Sequence, residues 1–409
     1  MDYDIVVVGA GPAGCLAAKY AAKNGAKTLL IEEHASIGSP IQCAGLLSTK
    51  AIHACEVVPN REFHPITGAF VYAPDGRRIR IAGGEVKAYV VDRRSFDRTL
   101  AEDAIRAGAE ILMRTRACGM DICDQENERI LHVTIEGEPD TIVAGVVIGA
   151  DGVGSRVARW AGLDSHETVL SGAQVGTIYD FDDPGFVEIF TGSCAPGFFA
   201  WAIPYHDSAR IGLAVRPELG RGSEPESGAG FRSGSAWDHL QRLLSTHRVV
   251  SEKCHTHTTE IVMGGIPIGV PKRTVADRVL ITGDAAGQVK PTSGGGVYPG
   301  AVCAKIAGQV AADAVREGDT SAGRLSEYDR LWRAEIGREL AIGKRINEWM
   351  ARLDDSGFNR MIRVLDDPEL LDLITRYGDM DYPSVVLRKL LLNRKSAGAF
   401  LKLVLARRS

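Results

Sequence analysis

The chain has 409 residues, with 48 Lys and Arg against 52 Asp and Glu for a net charge of −4, and 45% of it is hydrophobic. That length suggests two or three domains with ample core, while the slightly acidic balance excludes the basic field that a nucleic-acid binder needs. Eight cysteines without a Cys-x-x-Cys pair argue against a disulfide framework or a zinc ribbon.

No apolar stretch approaches the ~20 residues of a bilayer span. Met1-Asp2-Tyr3-Asp4 runs into the first strand without a basic leader, so the chain is expected in the cytoplasm. Residues 5–8 are an apolar run that predicts a buried parallel strand, and residues 15–18 predict a helix. Between them stands Gly9-Ala10-Gly11-Pro12-Ala13-Gly14, in the strand-loop-helix setting that a pyrophosphate-binding glycine motif requires. Gly9 permits the tight turn, Gly11 lets backbone approach the anion, Gly14 lets helix and strand pack closely, and the helix N-terminus offers free N–H groups. A second strand, residues 27–31, ends at Glu32, about 20 residues past the motif, where a carboxylate accepts the hydroxyls of an adenosine ribose. Glu33 competes for that role, and Glu32 is preferred because it directly follows the strand.

Gly38, Pro40 and Gly45 make the next segment an irregular loop, and it carries Gln42-Cys43-Ala44-Gly45-Leu46. Residues 66–72 and 78–81 flank Pro74-Asp75-Gly76 and predict a hairpin. The strand-like run 141–148 leads to Gly149-Ala150-Asp151-Gly152, which sets Asp151 and Gly152 at a strand's C-terminal end, where open α/β sheets bind ligands. Residues 187–190, 198–203 and 209–215 predict further strands of a sheet that could roof a cavity. Residues 220–234, rich in Gly, Ser and Glu, read as a flexible surface loop, and a helix begins near Trp237. Cys254-His255-Thr256-His257 has a metal-like look, yet no third and fourth ligand accompany it at suitable spacing; its alternation suits a strand, and no metal is expected.

Strand 278–282 then runs into Gly283-Asp284-Ala285-Ala286-Gly287, which presents Asp284 to a polyol such as a ribityl chain. Pro291-Thr292-Ser293-Gly294-Gly295-Gly296 and Val297 open a long helix of small residues. Those glycines suit a backbone that passes against a flat ring and offers it N–H groups. From Leu325 onward the pattern is helical. Residues 387–408 are basic and apolar together, as in a helix lying on an anionic membrane or in one docked on the protein body.

The glycine motif at residues 9–14, Asp151 in its Gly-Ala-Asp-Gly setting, and the segment 282–287, in this order, resemble the para-hydroxybenzoate-hydroxylase-type FAD superfamily. Residues 196–204 narrow the resemblance to the geranylgeranyl reductase family, whose Tyr-x-Trp-x-Phe-Pro signature reads here Phe199-x-Trp201-x-Ile203-Pro204. The signature's tyrosine hydroxyl is absent and its second bulky aromatic is aliphatic. The resemblance spans about residues 1–330 and implies an α/β fold, α+β overall. A discontinuous Rossmann-like FAD-binding domain (1–60, 92–170, 272–325) would join an antiparallel-sheet substrate domain (61–91, 171–271) and a helical C-terminal region (326–409).

The resemblance implies FAD bound by Gly9, Gly11, Ala13, Gly14, Glu32, Cys43, Ala44, Gly45, Arg93, Asp151, Gly152, Asp284, Gly287, Gly294, Gly295, Gly296 and Val297. Arg93 enters through the segment Val91-Asp92-Arg93-Arg94, which is similar to the family's FAD-contacting arginine segment. Phe198, Phe199, Trp201, Ile203 and Pro204 would wall an isoprenoid cavity, and Cys43 would act on the chemistry as a proton source or by gating access. The implied activity is saturation of geranylgeranyl C=C bonds, most closely that of archaeal digeranylgeranylglycerol phospholipids, with a prenyl quinone or a chlorophyll precursor as alternative substrates. A ferredoxin-like protein or NAD(P)H would supply electrons. Two other classes share the FAD segments: a flavin-dependent halogenase or monooxygenase, the former with a Trp-x-Trp-x-Ile-Pro signature, and a flavoprotein that only transfers electrons or binds lipid.

Overall fold

The structure is a computed structural model and describes residues 2–125, 128–135, 141–164, 166–218, 235–393 and 398. The predicted loop 220–234 lies outside the described residues, as does the basic stretch beyond residue 393 apart from Gly398. Among the described residues, an eight-stranded sheet is built around the order Val275–Ala276, Val279–Ile281, Thr141–Gly149, Tyr3–Val8, Thr28–Ile31, Glu110–Leu112. The four pairings from Val279–Ile281 to Glu110–Leu112 are parallel, with Val8 beside both Gly149 and Ile31. Strands buried on both faces read as continuous apolar runs, and Ile5, Val6 and Val7 are fully buried.

Helices Pro12–Lys23 and Val297–Glu317 lie together on one face of this sheet. Their approach explains the small residues of the second helix: a Cβ on Gly308 would stand 2.3 Å from the carbonyl oxygen of Ala17.

A seven-stranded sheet runs Cys254–Ile268, Thr168–Tyr179, Ser208–Val215, Ala200–Tyr205, Phe186–Phe190, Gly68–Tyr72, Arg78–Ala82. It departs from the expected all-antiparallel sheet at one junction, where Phe186–Phe190 pairs in parallel with Gly68–Tyr72. A tight hairpin forces antiparallel pairing, but here the chain passes through the first sheet between the two strands, so no hairpin sets their direction. The expected hairpin forms between Gly68–Tyr72 and Arg78–Ala82. Ile66 is not part of it, because His64–Ile66 joins Ala88–Val90 and Leu46–Ser48 in a separate three-stranded sheet. Phe198 and Phe199 likewise precede the strand that was expected to contain them, after Gly197 turns the chain at φ 82°. Cys254 and His255 begin the outer strand of the seven-stranded sheet.

Helices follow from Ala322 through Pro383–Leu392. Asp354 and Asp367 cap two of them by accepting backbone N–H bonds, the local choice expected of aspartate at such positions.

Candidate functional site

A cavity of about 1310 Å³ lies between the two large sheets, and residues from all three glycine-bearing segments line it. The first is set by backbone geometry. Gly9 adopts φ 97°, and a Cβ on Gly14 would lie 1.8 Å from the Gly9 oxygen, so Gly14 serves the packing of helix on strand and stays off the cavity wall. Gly11 is the reverse case: it caps the Pro12–Lys23 helix, no side chain caps that terminus, and nothing stands within 4 Å of where its Cβ would be. Ala13 is on the wall beside it. At the end of the second strand, one Glu32 carboxylate oxygen accepts the Ala10 N–H at 2.8 Å and the other the His34 N–H at 2.9 Å. Glu33 faces Arg116 at 3.1 Å and is half exposed. Both glutamates border the cavity.

The second segment places Asp151 and Gly152 on the wall, where the Asp151 carboxylate accepts Ser155 Oγ at 2.6 Å and the backbone N–H of Arg156 at 2.6 Å. Asp151 thereby holds the start of helix Arg156–Trp160 in place. In the third, Asp284 sits just after strand Val279–Ile281, with one carboxylate oxygen 2.6 Å from the position a Gly296 Cβ would take. Burial pushes its carboxyl above the usual range, and the charge of Arg93 opposes this. Gly294, Gly295, Gly296 and Val297 border the cavity, and the Val297–Glu317 helix begins at Gly296 without a side-chain cap. Gly287 is not on the wall: at φ 64° it ends the turn after Asp284, against the Gly269 carbonyl.

The Cys43 loop crosses the cavity's edge, with Cys43 and Ala44 on the wall. Arg93 donates to both carboxylate oxygens of Asp97 at 2.9 and 2.8 Å and lies against the Cys43 sulfur. Burial works against the Arg93 charge, and the Asp97 carboxylate it pairs with favours that charge. Arg210, absent from the sequence reading, anchors this loop. Its Nη1 donates to the Ala44 carbonyl at 2.7 Å and the Val91 carbonyl at 3.1 Å, and its guanidinium stacks 3.8 Å from the Tyr205 ring centre. Gly45, at φ 75°, leaves room for it, since a Cβ there would lie 2.3 Å from Nη1. Gly45 therefore faces the anchor and not the cavity.

The seven-stranded sheet roofs the cavity with Trp201, Ile203, Val187 and Ile189, joined by Phe199 just before the strand Ala200–Tyr205. Phe198 stacks on Phe199 at 4.2 Å but packs into the core with Leu170 and Ala214, and Pro204 is buried in its strand, so neither is on the wall. The C-terminal region, which before residue 387 carries no sequence signal beyond helical periodicity, closes another side. Ile374, Met380, Asp381 and Val386 line the cavity. Asp381 pairs with Lys290 at 2.6 Å with both side chains buried, Asp379 pairs with Lys50 at 2.6 Å, and the Tyr382 and Tyr298 hydroxyls meet at 2.7 Å.

Two helix N-termini without side-chain caps, an open Gly11 and a carboxylate at the end of the adjacent strand, all on one cavity, fit a dinucleotide with a flat ring. Residues 2–335 match the family model described as FAD binding domain, so the chain belongs to this class of FAD-binding proteins. Within the class it is 36% identical to digeranylgeranylglycerophospholipid reductase 1 of Methanothermobacter thermautotrophicus over 90% of this chain and 91% of that one. It is 37% identical to the digeranylgeranylglycerophospholipid reductase of Methanothrix thermoacetophila over 91% and 94%. The chain belongs to the digeranylgeranylglycerophospholipid reductase family. Among solved structures, a geranylgeranyl bacteriochlorophyll reductase-like protein from Thermoplasma acidophilum is similar with a TM-score of 0.81 and 26% identity, over 98% of this chain and 99% of that one. A halogenase solved with FAD shares the fold at a TM-score of 0.68 and 14% identity, over 97% and 87%.

Proposed function

We propose that this protein is an FAD-dependent reductase that saturates the C=C bonds of geranylgeranyl chains in digeranylgeranylglycerol phospholipids. The observation that carries the reading is one continuous cavity that joins the glycine segments to an apolar roof of Val187, Ile189, Trp201 and Ile203. Bound FAD supplies hydride chemistry once reduced. The chain's own part is to hold the dinucleotide through the three segments, keep bulk water from the apolar wall, and deliver a proton. Cys43, on the wall and against Arg93, is the side chain proposed to supply that proton or to gate access. In this reading the segments 1–60, 92–170 and 272–325 work as the FAD-binding unit, 61–91 and 171–271 as the substrate unit, and 326–409 as the closing helices.

Among the described residues no helix is long and apolar enough to cross a membrane. Tyr377, Val385, Leu391 and Leu392 are nevertheless exposed in the segment whose Met380 and Val386 line the cavity. Such an arrangement suits a lipid entering from a bilayer surface.

The test is anaerobic incubation of the chemically reduced holoenzyme with digeranylgeranylglyceryl phospholipid, followed by mass spectrometry. Stepwise saturation of the chains is expected, and Cys43→Ser should slow it in single turnovers without loss of FAD. Unchanged lipid with full flavin occupancy would overturn the reading.

A further inference from the structure

Gln174 is a polar side chain in an apolar wall. It stands in the roof strand Thr168–Tyr179, lines the cavity and is 4% exposed. One row of residues crosses the roof from strand to strand: Val262, Gln174, Gly212, Trp201 and Ile189, each paired with the next. Gly212 shapes the row. A Cβ there would lie 2.7 Å from Trp201 Cζ2, so the indole lies across space that any other residue would fill. Through that gap Trp201 Nε1 reaches over the intervening strand and donates to Gln174 Oε1 at 3.1 Å.

This is the one hydrogen bond of the Gln174 side chain among the described residues. The indole can only donate, so it fixes which branch of the amide is oxygen and leaves the NH2 group as the unpaired branch. Two N–H donors thus stand on the cavity wall between Val262 and Trp201. The NH2 branch faces the cavity space, where an incoming ligand can reach it, and a side chain oriented by a tryptophan and by the room a glycine leaves is a built feature of the wall. Its chemistry selects a hydrogen-bond acceptor.

We propose that the Gln174 amide donates to the oxygen at the head of a prenyl chain, so that Gln174 is a positioning and specificity residue that sets which double bond meets the flavin. The inference rests on the reductase reading for the identity of its ligand. It gives the signature Trp201 a second role, since the indole aims the amide as well as walling the cavity.

The test uses oxidised, FAD-loaded enzyme and two probes, geranylgeraniol and the hydrocarbon that lacks its hydroxyl. Affinity is read from the perturbation of flavin absorbance. Gln174→Glu keeps the acceptor for Trp201 and replaces the donors by an acceptor; Gln174→Met removes both. Each variant is expected to weaken geranylgeraniol about tenfold, equal to ~1.4 kcal/mol, while hydrocarbon affinity stays within about twofold. Equal weakening of both probes, as from simple loss of packing or of an ordered water, or no change in either, would overturn the proposal. Failure of the wild-type holoenzyme to bind either probe would count against the reductase reading instead.

Discussion

Gly11, which caps the first helix, and Gly14, inside its first turn, do two separable jobs. Gly14 has the Gly9 carbonyl where its Cβ would be, whereas Gly11 has open cavity. Gly14→Ala is therefore expected to lower the melting temperature sharply or abolish folding. Gly11→Val, at an ordinary φ of −71°, should fold with the thermal stability of flavin-stripped wild type, since bound FAD itself adds stability, and purify without yellow colour. Flavin absorbance per mole of protein and a melting curve measure both, and a yellow Gly11→Val protein would remove this loop from the cofactor site. Trp201 is half-buried, so Trp201→Ala should cost less than the ~3–5 kcal/mol of a fully buried ring and retain FAD while slowing prenyl reduction.

Between elements, charge does what apolar packing does elsewhere. Glu56 accepts from Lys19 at 2.9 Å, from Lys305 at 2.8 Å and from the Tyr20 hydroxyl, which joins the end of helix Thr49–Ala54 to helices Pro12–Lys23 and Val297–Glu317. Burial alone would raise its carboxyl, but the three donors outweigh it and lower it from 4.5 to about 2. A carboxylate depressed in the folded state stabilises above its unfolded value and loses that contribution as pH falls through the folded one. Glu56→Gln should therefore be less stable than wild type at neutral pH, with the gap closing between pH 4.5 and about 2. Denaturant titrations across that window check it; a gap independent of pH would show that packing, not ionisation, holds these helices. The Cys43 loop depends on a different fixture. Gly45→Ala should displace Arg210 and release the loop, detected as faster proteolysis near residue 43 with the fold intact.

At the scale of the whole molecule, the C-terminal segment completes the cavity that the two sheets begin. Lys290, just before the glycine run, is held by Asp381 from far along the chain. Removing one partner of a buried pair strands the other charge, which typically costs ~3–5 kcal/mol, whereas replacing both by apolar groups is often neutral. Asp381→Asn should thus destabilise the protein measurably by thermal melting, and Lys290→Met with Asp381→Leu should recover most of the loss. A double variant as unstable as the single one would mean that the pair contributes more than mutual neutralisation.

The parallel sheet around Tyr3–Val8, the glycine loop and the strand-end acids were legible because each is a local pattern: a continuous apolar run, a required turn, a carboxylate at a fixed distance from a motif. The hairpin at residues 68–82 was legible for the same reason, through its Pro74-Asp75-Gly76 turn. The parallel pairing of Phe186–Phe190 with Gly68–Tyr72 was not, because no short-range signal sets the direction of strands separated by more than a hundred residues. Nor did the roles of Gly45 and Gly287 follow from their place in motifs, since what a glycine faces depends on the element folded against it, here Arg210 and Gly269. Arg210, Gln174 and Asp381 carry no pattern of their own. Their partners are distant in sequence, so their meaning arises only when the fold brings those partners together.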